Sequence, residues 1–196
     1  DMRNIPAFLL ATVMTVNAAE PVASPVTAST AINTLGLDLL RQVGRPQANT
    51  LLSPYSIQSA LAMTYAGADG KTREEMAAVL HFPADDAEVN RSFAVLRQTL
   101  EEAAQRSLRE TSDARRYGAT NDPVVLTVAN RLFGQAGYEF RPAFLGLLAE
   151  SFDAPLQPLD FFRDSAGAIR TINSWVEDRT SKRIRHLIPD GALGSS

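Results

Sequence analysis

The feature that most constrains the fold is residues 124–133, VVLTVANRLF, whose β-branched side chains predict a buried strand. Residues 155–162 alternate weakly, as a second strand would, and residues 141–152 between them have the apolar spacing of a helix. A last helix is expected to be capped by Asp164 or Ser165. About six helices and two or three strands result. So few strands do not form a stable sheet alone, so the sequence predicts an α+β fold whose sheet is completed by partners or by further chain.

The segment at residues 67–72, GADGKT, is similar to a phosphate-binding loop but lacks two of its requirements. The loop spacing needs glycine at position 65, which is Tyr65, and it needs a preceding strand. Apolar spacing instead predicts a helix that begins at Pro54 and is apolar almost all round, and therefore deeply buried. We predict that the two glycines stop this helix, and that Thr72 and Glu75 form a capping box for the next one.

The following helix is predicted to begin at residues 85–87, with an apolar face that reaches Leu100. We expect its end to dissolve into a polar, mobile loop at residues 106–123. The arginines of this region suggest a polyanion site, but the acids interleaved with them favour a solvated loop without polyanion binding. The residues concerned are Arg106, Arg109, Arg115 and Arg116, with Glu101, Glu102, Glu110 and Asp113.

The composition excludes several classes of function. A formal net charge of −3 over 196 residues and a pI near 5.4 give no electrostatic reason to expect nucleic acid or an anionic membrane as partner. No cysteine is present, which excludes disulfides, thiolate metal sites and cysteine nucleophiles. With only His81 and His186, we expect no metal and no cofactor.

No catalytic constellation is found either. Ser53 has no Gly-x-Ser-x-Gly elbow around it and no positioned histidine base, so it is not expected to be a nucleophile. Its place before Pro54 makes it a good helix N-cap instead. The sequence therefore predicts a protein that is not an enzyme.

The N-terminus has the pattern of a secretory signal. Met2 and Arg3 lead into an apolar run closed by small residues, which predicts a signal peptide at residues 1–19, cleaved near Ala18 or Ala19. A buried helix is the alternative for this run. We expect residues 20–29 to be a linker, residues 30–196 to form the domain, and the protein to be secreted, either extracellular or periplasmic.

Four motifs in one order make the chain resemble the N-terminal half of a serpin. Each motif alone is weak, but together they extend over about residues 30–190. They are residues 51–57 (LLSPYSI), residues 67–76 (GADGKTREEM), residues 129–133 (ANRLF) and residues 172–184 (INSWVEDRTSKRI).

The resemblance implies a serpin fold fragment, with the N-terminal helices and first strands of the large central sheet, truncated before the remaining sheets and the reactive-centre loop. It implies a metastable inhibitor of serine, and sometimes cysteine, proteases. In that family the target cuts the reactive-centre loop, which then inserts into the sheet with the trapped acyl-enzyme and releases stored free energy. The reactive-centre bond is absent from this chain, and the resemblance predicts no oligomeric state.

The resemblance also assigns roles to single residues, for each of which plain packing or capping is the alternative. Small hydroxyls in the shutter hydrogen-bond beneath the central strands and let them part. A second group lies on the strand beside the opening and on the helix that crosses the sheet and yields during insertion. The shutter residues are Ser53 and Ser56, and the sheet-opening residues are Asn130, Phe133, Asn173 and Trp175.

Three functional hypotheses result. The first is an exported serpin inhibitor of which this chain is the N-terminal half, without the loop that a protease cuts. The second is a non-inhibitory serpin that acts as a binding or folding-assistance protein. The hinge of the reactive loop would distinguish this hypothesis from the first. The third, an exported α/β enzyme, is disfavoured by the missing catalytic constellation.

Overall fold

A computed structural model describes residues 24, 26–45, 47–118, 120, 122–123 and 128–193. The predicted signal peptide at residues 1–19 and the first part of the predicted strand, residues 124–127, lie outside these described residues. The described part contains α1 (Val26–Val43), α2 (Pro54–Ala66), α3 (Gly70–Val79), α4 (Asp86–Arg116), β1 (Leu132–Gln135), α5 (Pro142–Phe152), β2 (Leu156–Leu159) and α6 (Ser165–Arg179).

The first helix begins within the segment that the sequence predicts to be a linker. It begins at Val26, so the last four residues of the segment expected to be a linker are helical. The Val26 amide donates to Ser24 Oγ at 3.3 Å, which satisfies one of the free N–H groups at the helix start. Ile32 and Leu35 are buried, whereas Leu40 is 48% exposed.

Helix α2 begins at Pro54 and ends at Gly67, as predicted, but it is buried on one side only. Its buried residues include Ala62, Met63 and Tyr65, whereas Leu61 is exposed. In the described part of the chain, α1, α3 and α5 pack against α2 and leave part of its surface free, so deep burial of the whole helix stays a prediction.

The predicted capping box is wrong. Helix α3 begins at Gly70, and its N-cap is Asp69, whose carboxylate accepts a hydrogen bond from the Gly70 amide at 2.8 Å. Gly70 has φ +53°, a left-handed conformation that glycine adopts without strain. Thr72 thus lies inside the helix, and Glu75 pairs with Lys71 at 3.4 Å. An aspartate three residues earlier caps the helix and gives it almost one more turn.

The largest difference concerns the polar stretch after Leu100. Helix α4 continues for 31 residues to Arg116, so residues 106–116 are helix and not loop. Charged side chains do not interrupt a helix, and the sequence contains no glycine or proline between Asp86 and Gly118. At the other end, Asp85 caps α4 by accepting from the amides of Ala87 and Glu88 at 2.9 and 3.1 Å.

The two strands form a small parallel sheet. Leu132 pairs with Leu156, and the register continues to Gln135 and Leu159. Residues 128–131 of the predicted strand have no regular structure. The connection through α5 makes a strand–helix–strand unit, which is the usual way to join parallel strands. The predicted order of strand, helix, strand and helix is confirmed.

Two clusters of buried apolar side chains form the core. The larger one joins α1, α2, α4 and α5, and Leu132 of β1 packs against it, so the helices support the sheet. The smaller one joins Leu35, Tyr65 and Leu80. The larger cluster contains Ala28, Ile32, Ala62, Met63, Val89, Phe93, Leu148, Phe152 and Ala154. None of the helices in the described part combines the length and the apolarity needed to span a bilayer.

A polar cluster, which we call the Asp86 clamp, ties α2, α3 and α4 together. Asp86 accepts hydrogen bonds from the Tyr65 hydroxyl and the Arg73 guanidinium. The guanidinium also lies 4.6 Å from the centre of the Tyr65 ring and donates to the Ala68 carbonyl at 3.1 Å. Burial raises the pKa of Asp86, but these two donors outweigh it and hold the pKa below its ordinary value.

Candidate functional site

The structure brings the two predicted shutter serines together. Ser53 Oγ lies 2.8 Å from Ser56 Oγ, one turn apart at the start of α2. Both residues are exposed in this chain. Ser53 occupies the N-cap position, but its side chain makes no capping hydrogen bond. The two hydroxyls therefore bond to each other and not to the helix backbone. Each can exchange this bond for another partner.

A buried amide behind this pair was not predicted from the sequence. Gln58 is fully buried, and its Nε2 donates to the Leu80 carbonyl at 2.7 Å. Its Oε1 has no hydrogen-bond partner among the described residues. The sequence carries little signal for it, since Gln58 stands between Ser56 and Ser59 in a helix of mixed composition.

Helix α6 contacts the sheet through an aromatic pair. The rings of Phe133 on β1 and Trp175 on α6 meet edge to face, with centroids 5.7 Å apart. The Arg131 guanidinium lies 5.2 Å from the centre of the Trp175 ring and donates to Gln157 Oε1 on β2 at 2.7 Å. We call these four residues the Trp175 group. The structure brings Phe133 and Trp175 of the predicted sheet-opening region into contact, and their predicted role stays a prediction; Arg131 and Gln157 were not among the predicted residues.

Of the two asparagines predicted for the sheet-opening region, Asn130 lies near Trp175 and Asn173 is bonded elsewhere. Asn130 precedes β1 by two residues and lines a small cleft with Arg97 of α4 and Trp175 and Arg179 of α6. Asn173 points to a different segment, since its amide bonds to both backbone groups of Ile188. In the described part of the chain, no hydrogen bond or ring contact joins the serine pair to the Trp175 group.

The arginines of α4 are partly neutralised by acids. The absence of a polyanion site stays a prediction, but these pairs reduce the free positive charge that such a ligand needs. The residues described also contain no group of three or more histidine, aspartate or glutamate side chains placed to hold a metal ion. The pairs are Arg97 with Glu101 at 2.8 Å, Arg115 with Asp122 at 2.6 Å and Arg116 with Asp113 at 3.8 Å.

Comparison with known proteins identifies the family of this chain. Residues 30–196 match the family model described as serpin (serine protease inhibitor). The bovine leukocyte elastase inhibitor is 37% identical over 150 residues, which cover 76% of this chain and 35% of that protein. An uncharacterized serpin-like protein of Thermococcus kodakarensis is 35% identical over 158 residues, covering 81% of this chain and 33% of that protein.

A solved structure agrees. Cleaved Serpin 42Da superposes with a TM-score of 0.60 and 28% identity, covering 88% of this chain and 40% of that one. The chain belongs to the serpin family. It spans between a third and two fifths of the relatives' length, and the described residues contain six helices and two strands, so the expectation of a partial, helix-rich serpin fold is confirmed.

Proposed function

We propose that the complete protein containing this chain inhibits serine proteases by inserting a cleaved reactive loop into its central sheet. Family membership supports an inhibitor at the general level, and the bovine relative is named as an elastase inhibitor. Because the chain covers only part of its relatives, both the bait loop and the target protease belong to the proposal.

The observation that carries the proposal is the way in which α6 is fixed on β1. The Trp175 group holds α6 to the strand pair of β1 and β2 through one aromatic contact and one cation–π contact. An aromatic pair contributes about 0.5–1.5 kcal/mol, and a cation–π contact about 0.5–2 kcal/mol. Together they hold α6 in place but let it yield during insertion.

The serine pair fits a shutter in this proposal. Two hydroxyls that bond to each other at 2.8 Å are each both donor and acceptor, so they exchange partners without losing hydrogen bonds. In the complete protein we propose that the central strands cover Ser53 and Ser56, and that the hydroxyls bond to strand backbone before and after the strands part.

Secretion is the remaining part of the proposal. A signal peptide at residues 1–19 would place the inhibitor among extracellular or periplasmic proteases. Residues 1–19 lie outside the described residues, so this part rests on the sequence pattern alone.

The test uses the protein encoded by the complete reading frame. It is incubated with a trypsin-type, a chymotrypsin-type and an elastase-type protease, and covalent complexes are sought by denaturing electrophoresis. We expect a complex with at least one of them, and none when that protease is first blocked at its catalytic serine. Cleavage without a complex in every case would favour a non-inhibitory serpin. A stop codon directly after Ser196, with a folded and monomeric product, would refute the proposal.

A further inference from the structure

The segment that follows α6 turns back and runs along the helix. Ser181 and Lys182 both have positive φ, +50° and +63°, and reverse the chain direction directly after the helix end. Residues 182–188, which we call the return segment, are then held by side chains of α6 itself. Side chains of this segment are mostly exposed, so polar bonds and not apolar burial fix its position.

Asn173 makes the strongest of these contacts. Its Nδ2 donates to the Ile188 carbonyl at 2.8 Å, and its Oδ1 accepts from the Ile188 amide at 2.9 Å. Both backbone groups of one residue are thereby satisfied by a single side chain, in the manner of a strand neighbour. The primary amide of Asn173 carries the donor nitrogen and the acceptor oxygen side by side, as this two-bond contact needs.

Glu177 of α6 and the helix C-cap, Thr180, contact the same segment. Thr180 Oγ1 accepts from the Ile184 amide at 3.1 Å and donates to the Val176 carbonyl at 2.8 Å. Glu177 Oε1 lies 3.6 Å from Arg185 Nε. Asn173, Glu177 and Thr180 are spaced by four and three residues, so they share one face of the helix.

This face differs from the surfaces with which α6 contacts the rest of the protein. The buried stripe of α6 is formed by Ile169, Ile172 and Val176 together with Ala168, and the sheet contact is made by Trp175. The helix therefore holds the return segment independently of its own attachment to the sheet.

We propose that Asn173 is the positioning residue of a latch, the Asn173–Ile188 pair, which makes α6 and the return segment move as one body. This inference rests on the proposed inhibitory function, in which α6 must yield while the sheet opens. A latched segment adds to what has to be displaced, so the latch slows sheet opening in the absence of a protease. Loss of the latch frees the segment and speeds spontaneous conversion to an inactive form.

The first test measures the latch without reference to inhibition. In the full-length protein, Asn173→Ala and Asn173→Asp are compared with Ser174→Ala and Ser174→Asp. The Ser174 variants introduce the same two residues at the neighbouring exposed position. Hydrogen exchange followed by mass spectrometry should show protection of the Ile184 and Ile188 amides falling about tenfold in Asn173→Ala. The fall should be smaller in Asn173→Asp, because a carboxylate still accepts from the Ile188 amide although it cannot donate to the Ile188 carbonyl.

The controls separate a latch from a general loss of structure. Protection in α5 and the melting temperature should stay within error of the parent protein in all four variants. Equal exchange of the Ile188 amide in Asn173→Ala and in the parent would overturn the latch. Equal loss in the Ser174 variants would do so as well.

The second test links the latch to inhibition. Samples are incubated at 37 °C, and the fraction still able to form a covalent complex with a protease is measured over time. Both Asn173 variants should lose this ability several-fold faster than the parent, and the Ser174 variants should not. If exchange rises but inactivation does not, the latch exists without the proposed regulatory role. If even the parent forms no complex, the proposed function fails, whereas the exchange result still decides whether the latch exists.

Discussion

The Asp86 clamp provides a measurable prediction about how the helices are held together. Replacing Tyr65 by phenylalanine removes one hydroxyl and leaves the ring, which packs edge to face on Phe82 at 5.1 Å and beneath Arg73. The substitution deletes the hydrogen bond that the Tyr65 hydroxyl donates to the Asp86 carboxylate. The variant therefore isolates this bond from core packing.

The expected size of the effect follows from the exposure of the acceptor. A hydrogen bond to a charged group contributes about 1.5–3 kcal/mol when it is buried. The side chain of Asp86 is 39% exposed, so water replaces part of the deleted bond. We expect Tyr65→Phe to lower the free energy of unfolding by about 1 kcal/mol at pH 7.

The pH dependence gives the sign of the effect. The clamp lowers the pKa of Asp86 in the folded protein, so it contributes stability above the ordinary carboxyl pKa, and this stability is lost as pH falls through the lowered pKa. The difference between the parent and Tyr65→Phe should therefore shrink in acid. Burial and the hydrogen bond to Asp86 raise the pKa of Tyr65 in the folded protein. The contribution of the Tyr65 hydroxyl to stability is therefore lost only in strong alkali, as pH rises through this raised pKa.

Urea unfolding followed by circular dichroism, at pH 7 and again at the lowest pH at which the protein stays folded, measures both quantities. The matched control is Tyr138→Phe, because Tyr138 is 67% exposed. The reasoning is refuted if the two variants are equally stable at pH 7. A deficit in Tyr65→Phe that is as large in acid as at neutral pH would also refute it, because the bond to an ionised Asp86 would then not be the cause.

Two further predictions concern the helix and the sheet. Ser112→Pro should cost about 3 kcal/mol of local helix stability and lower the helical dichroism, whereas Ser112→Ala should not; equal spectra would mean that residues 106–116 are not helical. Gly134→Ala should destabilise the sheet by about 1–3 kcal/mol in urea unfolding, because a Cβ there would lie 2.7 Å from Phe140 and 2.8 Å from Leu156. An unchanged midpoint would show that these side chains move aside freely.

The elements with a regular apolar pattern were predictable from sequence. Helix α5, helix α6 with its Asp164 cap, and β2 lie close to their predicted places, because local spacing and capping determine them. The end of α4 was not predictable in this way. Its last turns bury no apolar face, so the apolar period is missing, and only the absence of glycine and proline indicates a helix.

The sequence motifs named residues of the candidate site but not the contacts between them. The bond between Ser53 and Ser56 and the contact of Phe133 with Trp175 are seen only in the structure, and the predicted roles of these residues stay predictions. The bond from Asn173 to Ile188 joins residues 15 positions apart across a chain reversal, and no local pattern encodes such a partner. The prediction of the α3 N-cap was wrong for a different reason. Asp69 and Thr72 are both residue types that cap helices well, and the sequence does not show which of them does so.

The long, polar end of α4 has a mechanical consequence for the strand that follows it. The fully buried residues of α4 all lie within its first eight positions, so the last turns are held mainly by their own hydrogen bonds and fray first. Each residue that leaves the helix lengthens the chain from about 1.5 to about 3.3 Å. Unwinding of four residues thus adds about 7 Å of slack to the connection with β1. The helix end acts as a reserve of chain length, and β1 can shift sideways without pulling on the helical core.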